Sequence, residues 1–188
     1  TRHMNAVYET LVAEIDRYGG SVISFAGDGV TCWFDDARAN ASARAVACAL
    51  AMQFAMQKYA AVTQPDGTLT ELSMKATVAS GPARRFIVGD PEIQWIDALA
   101  GNTIARMATA EQLSKSGQVL IDVATAATLG TQIQISEWLQ EPNTHERFAV
   151  VQAMAANVAG SPWENLPHAL AEAQIRPWLL KTIYARHN

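Results

Sequence analysis

Few side chains in this chain are placed where they could do chemistry. Asp28 stands at the centre of Ala26-Gly27-Asp28-Gly29, between two runs of β-branched and aromatic residues. A carboxylate at the tip of a tight turn can act as an acid, a base or a ligand, but an Asp-Gly pair by itself defines only a hairpin. Asn102 and Arg106 are four residues apart in a helical pattern, a spacing that puts both on one helix surface. The cysteines, Cys32 and Cys48, lie in apolar company without the Cys-x-x-Cys or Cys/His spacing of a zinc site, which points to buried free thiols in a reducing compartment. His3, His145, His168 and His187 have no mutual spacing that would hold a metal. The five tryptophans read as core or interface anchors.

The elements that position these residues follow from periodicity. Met4, Val7, Tyr8, Leu11 and Ile15 recur at helical spacing, so the first helix runs to about Tyr18 and stops at Gly19-Gly20. The pattern already runs through the first turn, as if the chain were cut inside or just before a helix, with sequence missing upstream. Residues 21–25 and 30–34 form a hairpin with Asp28 at its tip. Asp35 or Asp36 is expected to cap a long helix to about Ala60, packing Val46, Leu50, Phe54 and Met56 against a sheet, with Arg38, Arg44 and Lys58 in solvent. A polar loop around Pro65-Asp66-Gly67 leads to a strand over 72–78. Strands over 84–88 and 93–98, a helix over 102–113, a strand over 118–121 and a small helix begun by Asp122 or Thr125 and ended at Gly130 follow. Strands over 133–139 and 147–154 complete the pattern.

This order is not a strict βα alternation, which favours a mixed or antiparallel sheet with helices on one face. With one strand and one helix upstream it completes the βαββαβ core of a ferredoxin-like α+β fold, whose first strand is missing from the chain. The domain spans 1–160, and 161–188, with Pro162, Pro167 and Pro177, reads as a helical linker toward a further domain.

The most specific string is YGGSVISFAGDGVTCWF over 18–34, followed by an Ala-rich helix. A second block runs from Val88-Gly89-Asp90 through WIDALAG at 95–101 and the helix 102–113 to GQVLI at 117–121. Together these resemble the class III adenylyl and guanylyl cyclase catalytic domains over about residues 1–155. The closest resemblance is to the first half of a soluble tandem-type adenylyl cyclase. It implies conversion of ATP to cyclic AMP and pyrophosphate by in-line attack of the 3′-hydroxyl, assisted by two Mg²⁺ or Mn²⁺ ions. Asp28 then corresponds to the second of two metal-binding carboxylates, beside Gly27 in the substrate-binding turn; the first would lie upstream. Asp97 resembles the base-selecting aspartate, one residue further from Gly101 than usual.

The residues that the complementary half contributes are replaced. Aligned on Gly27-Asp28, the adenine-reading lysine falls at Ser24; aligned on Gly101, the ribose-orienting asparagine falls at Ala105 and the phosphate-stabilising arginine at Thr109. Asn102 and Arg106 fit only with a three-residue shift and read as a helix-surface coincidence. The resemblance thus implies a metal-donating half that is active only with a second cyclase half, in the same polypeptide or another chain. Lys75, Arg84 and Arg85 are candidates for a small anion in the degenerate site. The competing reading is a catalytically degenerate module that dimerises or binds an effector. A diguanylate cyclase is excluded because Gly27-Asp28-Gly29-Val30 lacks that family's turn.

Composition limits partners further. The chain has 188 residues, 49% of them hydrophobic, and a net charge of −4 with scattered basic residues, so it can bury its own core and has no footprint for nucleic acid. Its apolar stretches are too short for a membrane span. The expected location is the cytoplasm.

Overall fold

The computed structural model describes residues 2–63 and 69–181. Helix α1 (Arg2–Arg17) leads to the hairpin β1 (Ser21–Ala26) and β2 (Gly29–Trp33). Helix α2 (Ala41–Met56) is followed by the short strands β3 (Val62–Thr63), β4 (Leu69–Thr70) and β5 (Ala76–Val78). A ribbon of β6 (Arg84–Asp90) and β7 (Gln94–Ala100) precedes α3 (Asn102–Leu113), β8 (Val119–Asp122) and α4 (Val123–Leu129). Strands β9 (Ile133–Gln140) and β10 (Arg147–Met154) close the domain, and the tail contains the one-turn helix α5 (Glu172–Ile175). The turn expected at Pro65-Asp66-Gly67, the side chains of His3 and His187, and the tail beyond 181 lie outside the described residues.

The architecture is mixed α+β. A four-stranded sheet has the order β5-β8-β10-β9, with β5 parallel to β8 and the other neighbours antiparallel. Alternation along β8 divides the core: Val119 and Ile121 face α2 and α4, whereas Leu120 packs with Phe148, Val150 and Ala110 of α3. The helices therefore lie against both faces of this sheet, because β8 is apolar at every position from Val119 to Ile121 and a fully buried strand needs cover on both sides. A second cluster joins Val7, Leu11, Ile15 and Tyr18 of the first helix region to Ala47, Cys48 and Met52 of α2, with Val22, Val30 and Cys32 of the hairpin against it. Among the described residues, no helix is long and apolar enough to cross a membrane.

Several expectations are corrected. Arg44 is not on a solvent face; it is 3% exposed, and its guanidinium donors reach five carbonyls. Nη1 donates to Tyr18 and Gly19, Nε to Ala39, and Nη2 to Asp35 and Arg38, at 2.8–3.2 Å. That wrapping explains why α2 starts at Ala41 rather than at Asp35 or Asp36. The 35–40 loop curls around the guanidinium, Asp35 accepts from the Ala37 amide instead, and Asn40 enters the helix at φ 61° without a side-chain cap. Phe54, expected in the core, is 72% exposed. Only Ala76–Val78 of the 72–78 segment pairs as a strand. Just before it, the Met74 carbonyl accepts from Gln53 Nε2 and the Gly117 amide, which draws this stretch out of sheet geometry.

Both cysteines are free, as expected. Burial pushes the Cys32 thiol up to about 12 and Cys48 higher still, the latter also feeling Cys32. Both thiols are expected to resist alkylation at pH 8 in the folded chain and to react on unfolding, measured by mass-resolved iodoacetamide labelling. Because their folded pKa values are raised, the associated stability is present below about pH 8.5 and is lost as pH rises toward those values.

Arg44→Met is expected to destabilise the fold by roughly 3 kcal/mol or more, since it leaves five carbonyls, the buried ones of Tyr18 and Gly19 among them, without their donor. Urea unfolding checks this, and an unchanged midpoint would show the carbonyls to be satisfied otherwise.

Candidate active site

The hairpin that carries Asp28 closes on a positive-φ residue, Gly27 at φ 61°, with nothing within 4 Å of where a Cβ would sit. Its base is fixed more tightly. A Cβ at Gly20 would meet the Phe34 ring at 2.6 Å, the Gly20 carbonyl accepts from Trp163 Nε1 at 2.8 Å, and Arg44 holds Tyr18 and Gly19. At the tip, the Tyr8 hydroxyl donates to the Gly27 carbonyl at 3.3 Å while its ring meets Phe25 edge to face at 5.4 Å. Asp28 itself is exposed and has no hydrogen-bond or ion-pair partner among the described residues.

One free carboxylate suits a hard divalent cation as a single ligand, but two ions need more. Among the described residues no group of three His, Cys, Asp or Glu side chains could hold a metal. The residues in hand therefore fit at most one metal-ligand position, and no reaction step is derived through an ion.

The other expected site residues are engaged elsewhere. Asp97 lies on β7 with its side chain 9% exposed, and Arg85 of β6 grips both its oxygens, Nε donating at 2.8 and 2.9 Å and Nη2 closing the fork. That bond, with the Asp97 charge, raises the Arg85 pKa. An aspartate so held is not free to read a base. Ser24 is half-buried opposite Thr31, Ala105 is exposed, and the Thr109 hydroxyl bonds back to the Ala105 carbonyl. The expected anion cluster does not assemble either: Lys75 turns to Glu111 of α3, with its ammonium 2.7 Å from the backbone carbonyl and 3.5 Å from the carboxylate.

Arg106 proves to be more than a surface coincidence. Its Nε donates to Asp122 Oδ2 at 2.8 Å and its Nη2 to the Ser80 carbonyl at 2.8 Å. Asp122, 1% exposed, caps α4 by accepting from the Thr125 amide at 2.8 Å and the Thr125 hydroxyl at 2.6 Å. The Arg106 guanidinium thus ties α3, the end of β5 and the start of α4 together and is not free to face a phosphate. The sequence signal for this hub is Asp122 followed three residues on by Thr125, a capping pattern whose arginine partner is distant in the chain.

Solved structures place this arrangement. The chain superposes on the guanylyl cyclase Cya2 at 20% identity with a TM-score of 0.67, covering 84% of this chain and 83% of that one. It matches the guanylate cyclase domain of RhGC from Catenaria anguillulae, solved with GTP, at 18% identity and TM-score 0.64 over 80% and 81%. It also matches the adenylyl cyclase CyaB from P. aeruginosa at 17% identity and TM-score 0.61 over 81% and 82%. No protein-family model matches the chain, and no curated protein matches it significantly. At these identities the likeness defines the fold, that of the class III nucleotide cyclase catalytic domains.

Arg106→Leu is expected to cost about 2–4 kcal/mol, because it strands a buried carboxylate at Asp122. The loss should be visible as a lowered thermal midpoint, and Arg106→Leu/Asp122→Asn should recover part of it.

Proposed function

We infer that this chain is the metal-donating half of a class III nucleotide cyclase, converting ATP to cyclic AMP and pyrophosphate when joined by a complementary half. The observation that carries this reading is the free Asp28 carboxylate at the tip of the β1–β2 hairpin in a cyclase-domain fold. Its supports are all structural: α1 and α2 beneath, Arg44 and Trp163 at the base, Tyr8 at the tip. Nothing on the hairpin competes for the carboxylate. Bound Mg²⁺ or Mn²⁺ would neutralise the triphosphate and lower the pKa of the attacking hydroxyl, with Asp28 as one ligand and the rest from residues beyond those described. Base choice would belong to the complementary half, because Ser24, Ala105 and Thr109 offer no long-reach donors.

A second reading is favoured by the engaged state of Asp97 and Arg106: a degenerate cyclase-like module that dimerises or binds an effector and regulates a larger protein.

Cyclic AMP formation from ATP with Mn²⁺, by this chain paired with a catalytically complete class III complementary half, separates the two. Asp28→Ala should lower turnover by about 10²-fold or more without loss of pairing. The chain alone should show negligible turnover. A folded, paired complex without activity, or one indifferent to Asp28→Ala, would favour the regulatory module.

A further inference from the structure

The segment after β10 is held to the domain at two places, and the two holds differ in strength. The first is at residues 161–163. Arg38 donates to the Ser161 carbonyl at 2.7 Å, to the Ser161 hydroxyl at 2.8 Å and to the Pro162 carbonyl at 3.1 Å, and its guanidinium lies 4.3 Å from the centroid of the Trp163 ring. The Ser161 amide donates to the Arg17 carbonyl at 2.8 Å, and Trp163 Nε1 to the Gly20 carbonyl at 2.8 Å. Residues 164–170 that follow are all exposed, and among the described residues no hydrogen bond or ion pair joins them to the domain.

The second hold is on the β6–β7 ribbon. Trp178 meets Trp95 edge to face at 5.7 Å, and its carbonyl accepts from Gln94 Nε2 at 3.2 Å. Lys181 stands 4.0 Å from Glu92 with side chains 62% and 72% exposed, and an ion pair so open to water contributes little. A cavity of about 220 Å³ remains between Pro91, Glu92 and Ile93 of the ribbon turn and Arg176, Leu179 and Lys181 of the tail, so this contact lacks the density of a core. Alternation along β7 puts Trp95 on the same face as Asp97, and the register with β6 puts Arg85 there too. The tail is therefore docked on the ribbon face that carries the Arg85–Asp97 pair. We propose that residues 161–181 form a strap, fastened at Trp163 and reversibly latched at Trp178, which braces the β6–β7 ribbon when docked and frees it when the latch opens. The exposed stretch 164–170 supplies the slack, so the latch opens without disturbing the fastened end. The ribbon responds because its strands pair only with each other, outside the four-stranded sheet. This device is independent of Asp28 and of cyclase activity.

Amide hydrogen exchange on the full chain, resolved by peptide mass spectrometry, tests it. In the unmodified chain residues 172–181 should exchange about tenfold faster than 158–163, because the latch opens first. Trp178→Ala removes the latch at a residue that is 37% exposed, so the variant should fold. It should speed exchange in residues 84–100 by about fivefold or more and leave 18–34 and 158–163 unchanged. Glu92→Lys sets a further cation against Arg176 and Lys181 and should have the same effect from the ribbon side. Equal exchange at 158–163 and 172–181 in the unmodified chain, or ribbon exchange indifferent to either variant, would overturn the proposal.

Discussion

A buried guanidinium without a carboxylate in contact organises the part of this molecule that carries Asp28. Arg44 sits under the end of α1, the entry to β1 and the loop before α2, and its donors meet five carbonyls there. Burial, then the neighbouring Arg38 charge, lowers its pKa from the usual guanidinium value. The cation is tolerable there because its donors are satisfied; leave one carbonyl out of place and the cost of a buried polar group returns. The loop at 35–40, the left-handed Asn40 and the Gly19-Gly20 turn are thereby fixed together, and the base of the β1–β2 hairpin with them. The direction in which the hairpin tip presents Asp28 is set from below.

A second arginine extends that constraint to the tail. Arg38 donates through Nη2 to the Ser161 carbonyl and hydroxyl and to the Pro162 carbonyl, and its guanidinium lies 4.3 Å from the centroid of the Trp163 ring. The Ser161 amide bonds the Arg17 carbonyl, and Trp163 reaches Gly20. The segment just after β10 is therefore packed against the end of α1, although its prolines read as a helical linker. Prolines exclude regular structure; they do not exclude docking by side chains and single backbone bonds.

How much of this is legible in the sequence depends on the range of the interaction. The hairpin around Gly27-Asp28, the strands β9 and β10, and the Asp122 cap are local patterns, and each is readable. The 72–78 segment misleads because its alternation is genuine but its carbonyl at Met74 is captured by Gln53 from α2 and by Gly117, contacts that no local pattern encodes. Phe54 and Arg44 exchange their expected places for a similar reason. An Ala-rich helix carries little amphipathic signal, so the buried side is chosen by what lies opposite, and five loop carbonyls lie opposite Arg44. Of the candidate site, Asp28 is placed by the turn, whereas the engagement of Asp97 and Arg106 depends on partners 12 and 16 residues away.

Those two engagements share a logic that bears on the cyclase fold itself. Arg85–Asp97 and Arg106–Asp122 each set a cation against a carboxylate that is nearly buried, with side-chain exposures of 9% and 2% for the two aspartates. A carboxylate gripped in this way cannot be lent to a substrate without leaving its arginine unpaired. At both places the charge stiffens the scaffold, one pair bracing the ribbon and the other locking α3 to α4. Asp28 differs in the respect that matters: it is exposed, unpaired and carried on a hairpin whose rigidity comes from contacts other than its own. The division between charges committed to structure and the one left open is what sets Asp28 apart from the other carboxylates of the candidate site.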